Sequence, residues 1–128
     1  MDDILYKEYI LELYRDPLHK KNITHPTMHG KAVNQSCGDD ITVMLLVDDT
    51  DRITDAGHQG VGCAISQAAV SLLIDWCIGK TIRELNELTQ EHVIDMLGIH
   101  VSYARKNCAT LGYVALTKAI QLYERKNI

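Results

Sequence analysis

The chain has four cysteines, Cys37, Cys63, Cys77 and Cys108. A thiol does chemistry only where it ionises, because the thiolate is the form that binds metal and attacks sulfur. Cys37 lies in Asn34-Gln35-Ser36-Cys37-Gly38-Asp39-Asp40, between two predicted strands. Cys63 ends Gly60-Val61-Gly62-Cys63 at the start of a long predicted helix, and Cys108 stands just before the last one. Two of these three thiols are therefore expected at helix N-termini, where the macrodipole and unpaired N–H groups favour the thiolate. The alternative for each is a small buried apolar residue. Cys77 follows that alternative: it comes one helical turn after Leu73 on the apolar stripe and directly after Trp76, so it is expected in the core.

Three thiolates with the Asp39 carboxylate would supply four ligands, a set compatible with tetrahedral zinc or with an iron-sulfur cluster of incomplete cysteine ligation. The cysteines are far apart and lack the Cys-x-x-Cys pairing of zinc fingers, and Asp39 after Gly38 reads, by itself, as a turn residue. Asp40, Asp48, Asp49 and Asp51 are expected to be solvated turn residues. His25 and His29 have the spacing of a helical pair, but Pro26 disfavours a helix, which leaves an exposed loop. His58 is close enough in sequence to Cys63 to be a candidate donor to a ligand, and Lys106 is a candidate charge beside Cys108. There is no P-loop, Gly-x-Ser-x-Gly elbow or His-Glu-x-x-His, and a cysteine hydrolase would have only His58 as its base. A small structural zinc module without sulfur chemistry is a further alternative.

Length and composition limit what must position these residues. With 128 residues, 46% hydrophobic and 23% charged, the chain fits one core, so residues 1–128 are expected to form a single domain. A net charge of -4, with basic residues scattered in ones and twos, argues against nucleic acid. The longest apolar run, near Ala64 to Ile74, is broken by Ser66, Gln67 and Ser71 and falls short of a bilayer span. Acids at Asp2 and Asp3 replace the positive start of a signal peptide, which points to the cytoplasm, where cysteines serve as ligands or catalytic thiols more often than in disulfides.

Ile4, Leu5, Leu11 and Tyr14 predict a helix over Asp2 to Tyr14 that closes at Asp16-Pro17. Leu18 to His29 reads as a loop, followed by strands at Lys31 to Gln35, Ile41 to Val47 and Arg52 to His58, with an acidic turn at Asp48 to Asp51. Ala64 to Cys77 has the spacing of a helix packed on a sheet, with Gly79 ending it. Thr81-Ile82-Arg83-Glu84 has the form of a capping box, Thr89 to Leu97 reads as a short helix, and Ala109 to Tyr123 as the last amphipathic one. The expectation is an α+β fold, a short antiparallel meander of about three strands against four to five helices.

Taken together, the motifs resemble the IscU/SufU family of iron-sulfur cluster assembly scaffolds, related to the N-terminal domain of NifU, over nearly the whole chain. Tyr14-Arg15-Asp16-Pro17 resembles the family's opening, Ser36-Cys37-Gly38-Asp39 its first cysteine motif, and Gly60-Val61-Gly62-Cys63-Ala64-Ile65-Ser66, followed by Gly79-Lys80-Thr81, its second. Arg105-Lys106-Asn107-Cys108-Ala109-Thr110-Leu111 is nearer the SufU form, because IscU proteins have histidine where this chain has Asn107. The short Cys63 to Cys108 spacing is IscU-like. The IscU chaperone-recognition sequence Leu-Pro-Pro-Val-Lys is missing, His100 to Arg105 reading His-Val-Ser-Tyr-Ala-Arg.

The resemblance implies a SufE/NifU-like fold and a scaffold and sulfur carrier rather than an enzyme, with sulfurtransferase-like transfer at its thiols. It implies Cys37, Asp39, Cys63 and Cys108 as ligands to a transient iron-sulfur cluster, with the three thiols accepting sulfur. A SufU-type zinc site on the same ligands is the alternative. The implied partners are a cysteine desulfurase of the IscS/SufS type and recipient apo iron-sulfur proteins, with room for a homo-oligomer. Lys20, Lys21, Arg105 and Lys106 are the basic residues that would guide docking.

Overall fold

The computed structural model describes residues 3–36 and 38–126. Helix α1 (Asp3–Arg15) leads through a loop into strands β1 (Met28–Asn34), β2 (Asp39–Val47) and β3 (Ile53–Val61). Helices α2 (Ala64–Cys77), α3 (Ile82–Glu87) and α4 (Gln90–Met96) follow, then a 3-10 turn (Tyr103–Arg105) and the long α5 (Lys106–Lys126). The strands pair antiparallel in the order β1-β2-β3, the anticipated meander, and the fold is α+β. Asp48 shapes the β2–β3 turn. Its Oδ1 accepts from the Thr50 amide at 2.8 Å, the Thr50 hydroxyl at 2.7 Å and the Arg52 amide at 3.0 Å, and these bonds hold its carboxyl below the usual range.

β1 begins three residues before the expected strand, because Gly30 hides its character. Met28, Gly30 and Ala32 point inward while His29, Lys31 and Val33 point out, a regular period of two. A Cβ on Gly30 would collide with the Ala115 carbonyl and come 2.7 Å from the Ala119 amide, so the glycine is the condition for laying α5 directly on the strand. Hence His29 is a strand residue, while His25 is in the loop; both are exposed.

The main core lies between this sheet and α2 and α5, filled by Ile41, Val43, Leu45, Val70, Leu73, Ile74 and Leu116, with Cys77 among them at 0% exposure. Removing such apolar surface from water is the main stabilising term of the fold. A second cluster joins α1 to the N-terminal half of α2 through Ile10, Leu13, Ala68, Ala69 and Ala109. The buried stripe of α1 is thus Ile10 and Leu13, whereas Leu11 and Tyr14, expected inward, are 45% and 48% exposed. The Ile10–Leu13 step also follows the helical period, and docking on α2 decides between the two faces. Side chains of Ile4 and Leu5 lie outside the described residues.

The capping box forms as anticipated. The Glu84 amide donates to Thr81 Oγ1 at 3.2 Å and the Thr81 amide to Glu84 Oε1 at 3.1 Å. Among the described residues no helix is long and apolar enough to cross a membrane.

Candidate metal centre

Asp39 opens β2 and shares the inward face with Ile41 and Val43, so the alternation that buries two aliphatic side chains also buries a carboxylate, at 0% exposure. Its opposite residue is Asn34, which closes the β1–β2 hairpin. The connection between them includes Ser36, whose amide donates to Asn34 Oδ1 at 3.2 Å, and Gly38, which has φ +71. Cys37 lies outside the described residues.

Cys63 is the N-cap of α2, with extended backbone (φ -72, ψ 171), and its side chain makes no capping bond, which leaves the half-buried thiol for other use. Its carbonyl accepts from the Gln67 amide and from the Ser66 hydroxyl, each at 3.0 Å. Its amide donates to Asp39 Oδ1 at 3.0 Å, tying the carboxylate to the positive end of α2. Cys108 lies in the first turn of α5 rather than ahead of it, because the helix begins at Lys106; it is fully buried.

One ligand atom each from Asp39, Cys63 and Cys108 lies within 4.8 Å of the other two. Residues distant in sequence thus converge from a strand and two helix N-termini. Asp39 Oδ2 is buried and has no hydrogen-bond partner among the described residues. A buried oxygen of this kind is costly unless something binds it, and a cation is what a carboxylate between two thiols accepts. Two soft sulfurs and one oxygen fit zinc or an iron-sulfur cluster and do not suit magnesium or calcium.

Other candidates are placed elsewhere. His58, expected as a donor to a ligand, is 1% exposed, but its Nε2 donates to the Leu18 carbonyl at 2.8 Å and lies 3.4 Å from Ser71 Oγ. Burial lowers its pKa, partly opposed by the bond to Leu18. It anchors the α1–β1 loop. Lys20 and Lys21 serve the same loop, with Nζ of Lys20 donating to Gln67 Oε1 at 3.1 Å and Lys21 paired with Asp55 at 2.9 Å. Arg105 and Lys106 are exposed beside the site's α5 wall, and Asp40 pairs with Lys31 across the strands at 3.4 Å instead of sitting in a turn. Burial pushes the Cys77 thiol up to about 12, as its core position implies.

A groove of about 440 Å³ runs between the end of β1 and the start of α5, lined in part by Asn34, Gln35 and Asn107. Adjacent helical residues point about 100° apart, so Cys108 faces the buried site while Asn107 is exposed in the groove. The sequence motif assigned no role to Gly62, where a Cβ would lie 2.8 Å from Asp39 Oδ1; the Gly-x-Gly before Cys63 was the available signal.

Fold and site together define a small α+β protein that presents thiols and a carboxylate around one buried point. The chain belongs to the family of the NifU-like N-terminal domain, whose model matches residues 5–128, and its relatives there are IscU and SufU proteins. It is 32% identical over 123 residues to iron-sulfur cluster assembly scaffold protein IscU 1 of Archaeoglobus fulgidus, covering 96% of this chain and 79% of the relative. It is 28% identical to the zinc-dependent sulfurtransferase SufU of Bacillus subtilis, covering 98% and 95%. The crystal structure of FiSufU from Fervidobacterium islandicum AW-1 superposes with a TM-score of 0.76 at 26% identity, covering 94% of this chain and 99% of that one.

Proposed function

We propose that residues 1–128 act as one IscU/SufU-like domain that accepts sulfur from a cysteine desulfurase and holds a transient iron-sulfur cluster, its cargo, on Cys37, Asp39, Cys63 and Cys108. The observation that carries this reading is the convergence of Asp39, Cys63 and Cys108 within 4.8 Å, with Asp39 Oδ2 buried and unpaired among the described residues. Cys37 joins the set on the resemblance of Ser36-Cys37-Gly38-Asp39 to the family's first cysteine motif. A carboxylate corner makes the set exchangeable, which suits a protein that must hand its cargo to apo iron-sulfur proteins.

In sulfur acceptance a thiolate of this chain attacks the outer sulfur of the desulfurase persulfide. A new S–S bond forms, the old one breaks, and the desulfurase cysteine leaves as a thiolate. Cys63 is half-buried with its side chain outside the helix's own hydrogen bonding, which leaves its sulfur available for the attack. This chemistry belongs to a reducing compartment, the cytoplasm, and works in a monomer or a homo-oligomer. Anaerobic incubation with iron, cysteine and a desulfurase should give a visible sulfur-to-iron charge-transfer spectrum and acid-labile sulfide. A chain that stays colourless and gains no persulfide by mass spectrometry would contradict the reading.

A second reading has a specific observation in its favour. Asn107 is exposed in the groove and stands where IscU proteins have histidine, the SufU-like form, and the Bacillus subtilis relative is named a zinc-dependent sulfurtransferase. In this version zinc resides on the same four residues, and one cysteine leaves it to take sulfur. Zinc retained without sulfide, together with persulfide formation, would select it.

A further inference from the structure

The two glycines of Gly60-Val61-Gly62-Cys63 both face the segment that bears Asp39. At Gly60, φ is +125 and a Cβ would collide with the Asp40 carbonyl, so the glycine lets β3 close onto the start of β2. Gly62 is different. Its φ is outside the left-handed region, so its backbone would accept alanine. What forbids a side chain is contact: a Cβ there would lie 2.8 Å from Asp39 Oδ1 and 3.3 Å from its Cγ, and would also meet Ser66 Oγ.

The geometry points to Gly62 as a positioning residue of the metal centre. Its missing side chain lets the Asp39 carboxylate seat Oδ1 on the Cys63 amide and leaves Oδ2 as the single oxygen offered to metal. The two oxygens thereby divide their work. Oδ1 ties β2 to the N-terminus of α2 and fixes the rotation of the carboxylate; Oδ2 is the ligand. Oδ1 already accepts from the Cys63 amide, whereas Oδ2 is buried with no partner among the described residues, so Oδ2 is the oxygen with its lone pairs open to a metal. Supports of this kind around a ligand set metal affinity almost as strongly as the ligands themselves. The inference rests on the reading of Asp39, Cys63 and Cys108 as ligands.

The test is a mutant cycle in a Ser66→Ala background, which removes the hydroxyl as an obstacle. Zinc affinity is measured by competition with a chromophoric chelator, and the ligand set by the visible spectrum of the cobalt-substituted chain. Gly62→Ala should weaken zinc binding about tenfold while Asp39 is present, and give a cobalt spectrum matching that of Asp39→Ala. With Asp39→Ala already in place, Gly62→Ala should change affinity by no more than about twofold. Equal loss in both backgrounds, or no loss in either, overturns the inference. Should Gly62→Ala fail to fold, rescue by Asp39→Ala supports the same contact and failure in both backgrounds overturns it. A parent chain that binds no zinc or cobalt would instead overturn the ligand reading itself.

Discussion

At the start of α2, Cys63 caps the helix beside Asp39 and Cys108, half-buried, with its side chain outside the helix's own hydrogen bonding. At the other end of the same helix, Cys77 is wholly buried among Ile74, Leu73 and the inner face of the sheet, where burial alone pushes its thiol up to about 12. The residue type is the same and the surroundings are opposite. A helix N-terminus supplies N–H groups, partial positive charge and a chain reversal that brings other elements near; the apolar interior supplies only desolvation. Position on the helix, rather than cysteine content, is what sets the surroundings of the two thiols apart.

The largest effect separating the two ends should be reactivity. At pH 8 a thiol with a pKa near 12 is ionised in about one molecule in ten thousand. Iodoacetamide should therefore label Cys63 in the metal-free native chain and reach Cys77 only on unfolding, read by peptide mass spectrometry. Labelling of Cys77 at a comparable rate would erase the distinction.

Next comes a double dissociation. Cys63→Ala should lower zinc affinity by about two orders of magnitude, as expected for a lost ligand, with little change in metal-free melting. Cys77→Ser should leave zinc affinity unchanged but cost about 2 kcal/mol of stability in urea, because it buries a hydroxyl in the apolar core. The account fails if Cys77→Ser weakens zinc binding as much as Cys63→Ala.

The smallest effect concerns His58, which burial also perturbs, against Ser71 midway along α2. Its folded pKa is lowered from 6.5. Its contribution is therefore intact above pH 6.5 and is lost as pH falls toward and through the lowered value, since only the unfolded chain takes up the proton in that window. The melting temperature should drop by a few degrees more between pH 7.5 and 5.5 in the parent than in His58→Gln. Equal drops would mean that burial of the ring does not disfavour its protonation.

Local patterns made most of the fold legible. α2 spans Ala64–Cys77 as its apolar spacing predicts, and the meander, the acidic turn and the Thr81–Glu84 box follow from β-branched content, turn residues and capping chemistry. What could not be read locally depended on distant contacts. Gly30 belongs to a strand only because α5 lies on it, α1 turns Ile10 rather than Leu11 inward because α2 is there, and His58 finds Leu18 rather than a ligand because the loop folds back over β3. The site divides in the same way. Asp39 sits at an inward position of a strand whose β-branched run was visible from Ile41 onward, but its meeting with Cys63 and Cys108 requires the register of β2 against β3 and the packing of α5.

The most direct test of the central claim is the metal and acid-labile sulfide content of the chain isolated without oxygen, alongside Cys63→Ala and Cys108→Ala. Iron and sulfide bound by the parent chain and lost from both variants is the predicted result. Neither iron with sulfide nor zinc in the parent, or equal amounts in all three proteins, would contradict a centre built on these residues.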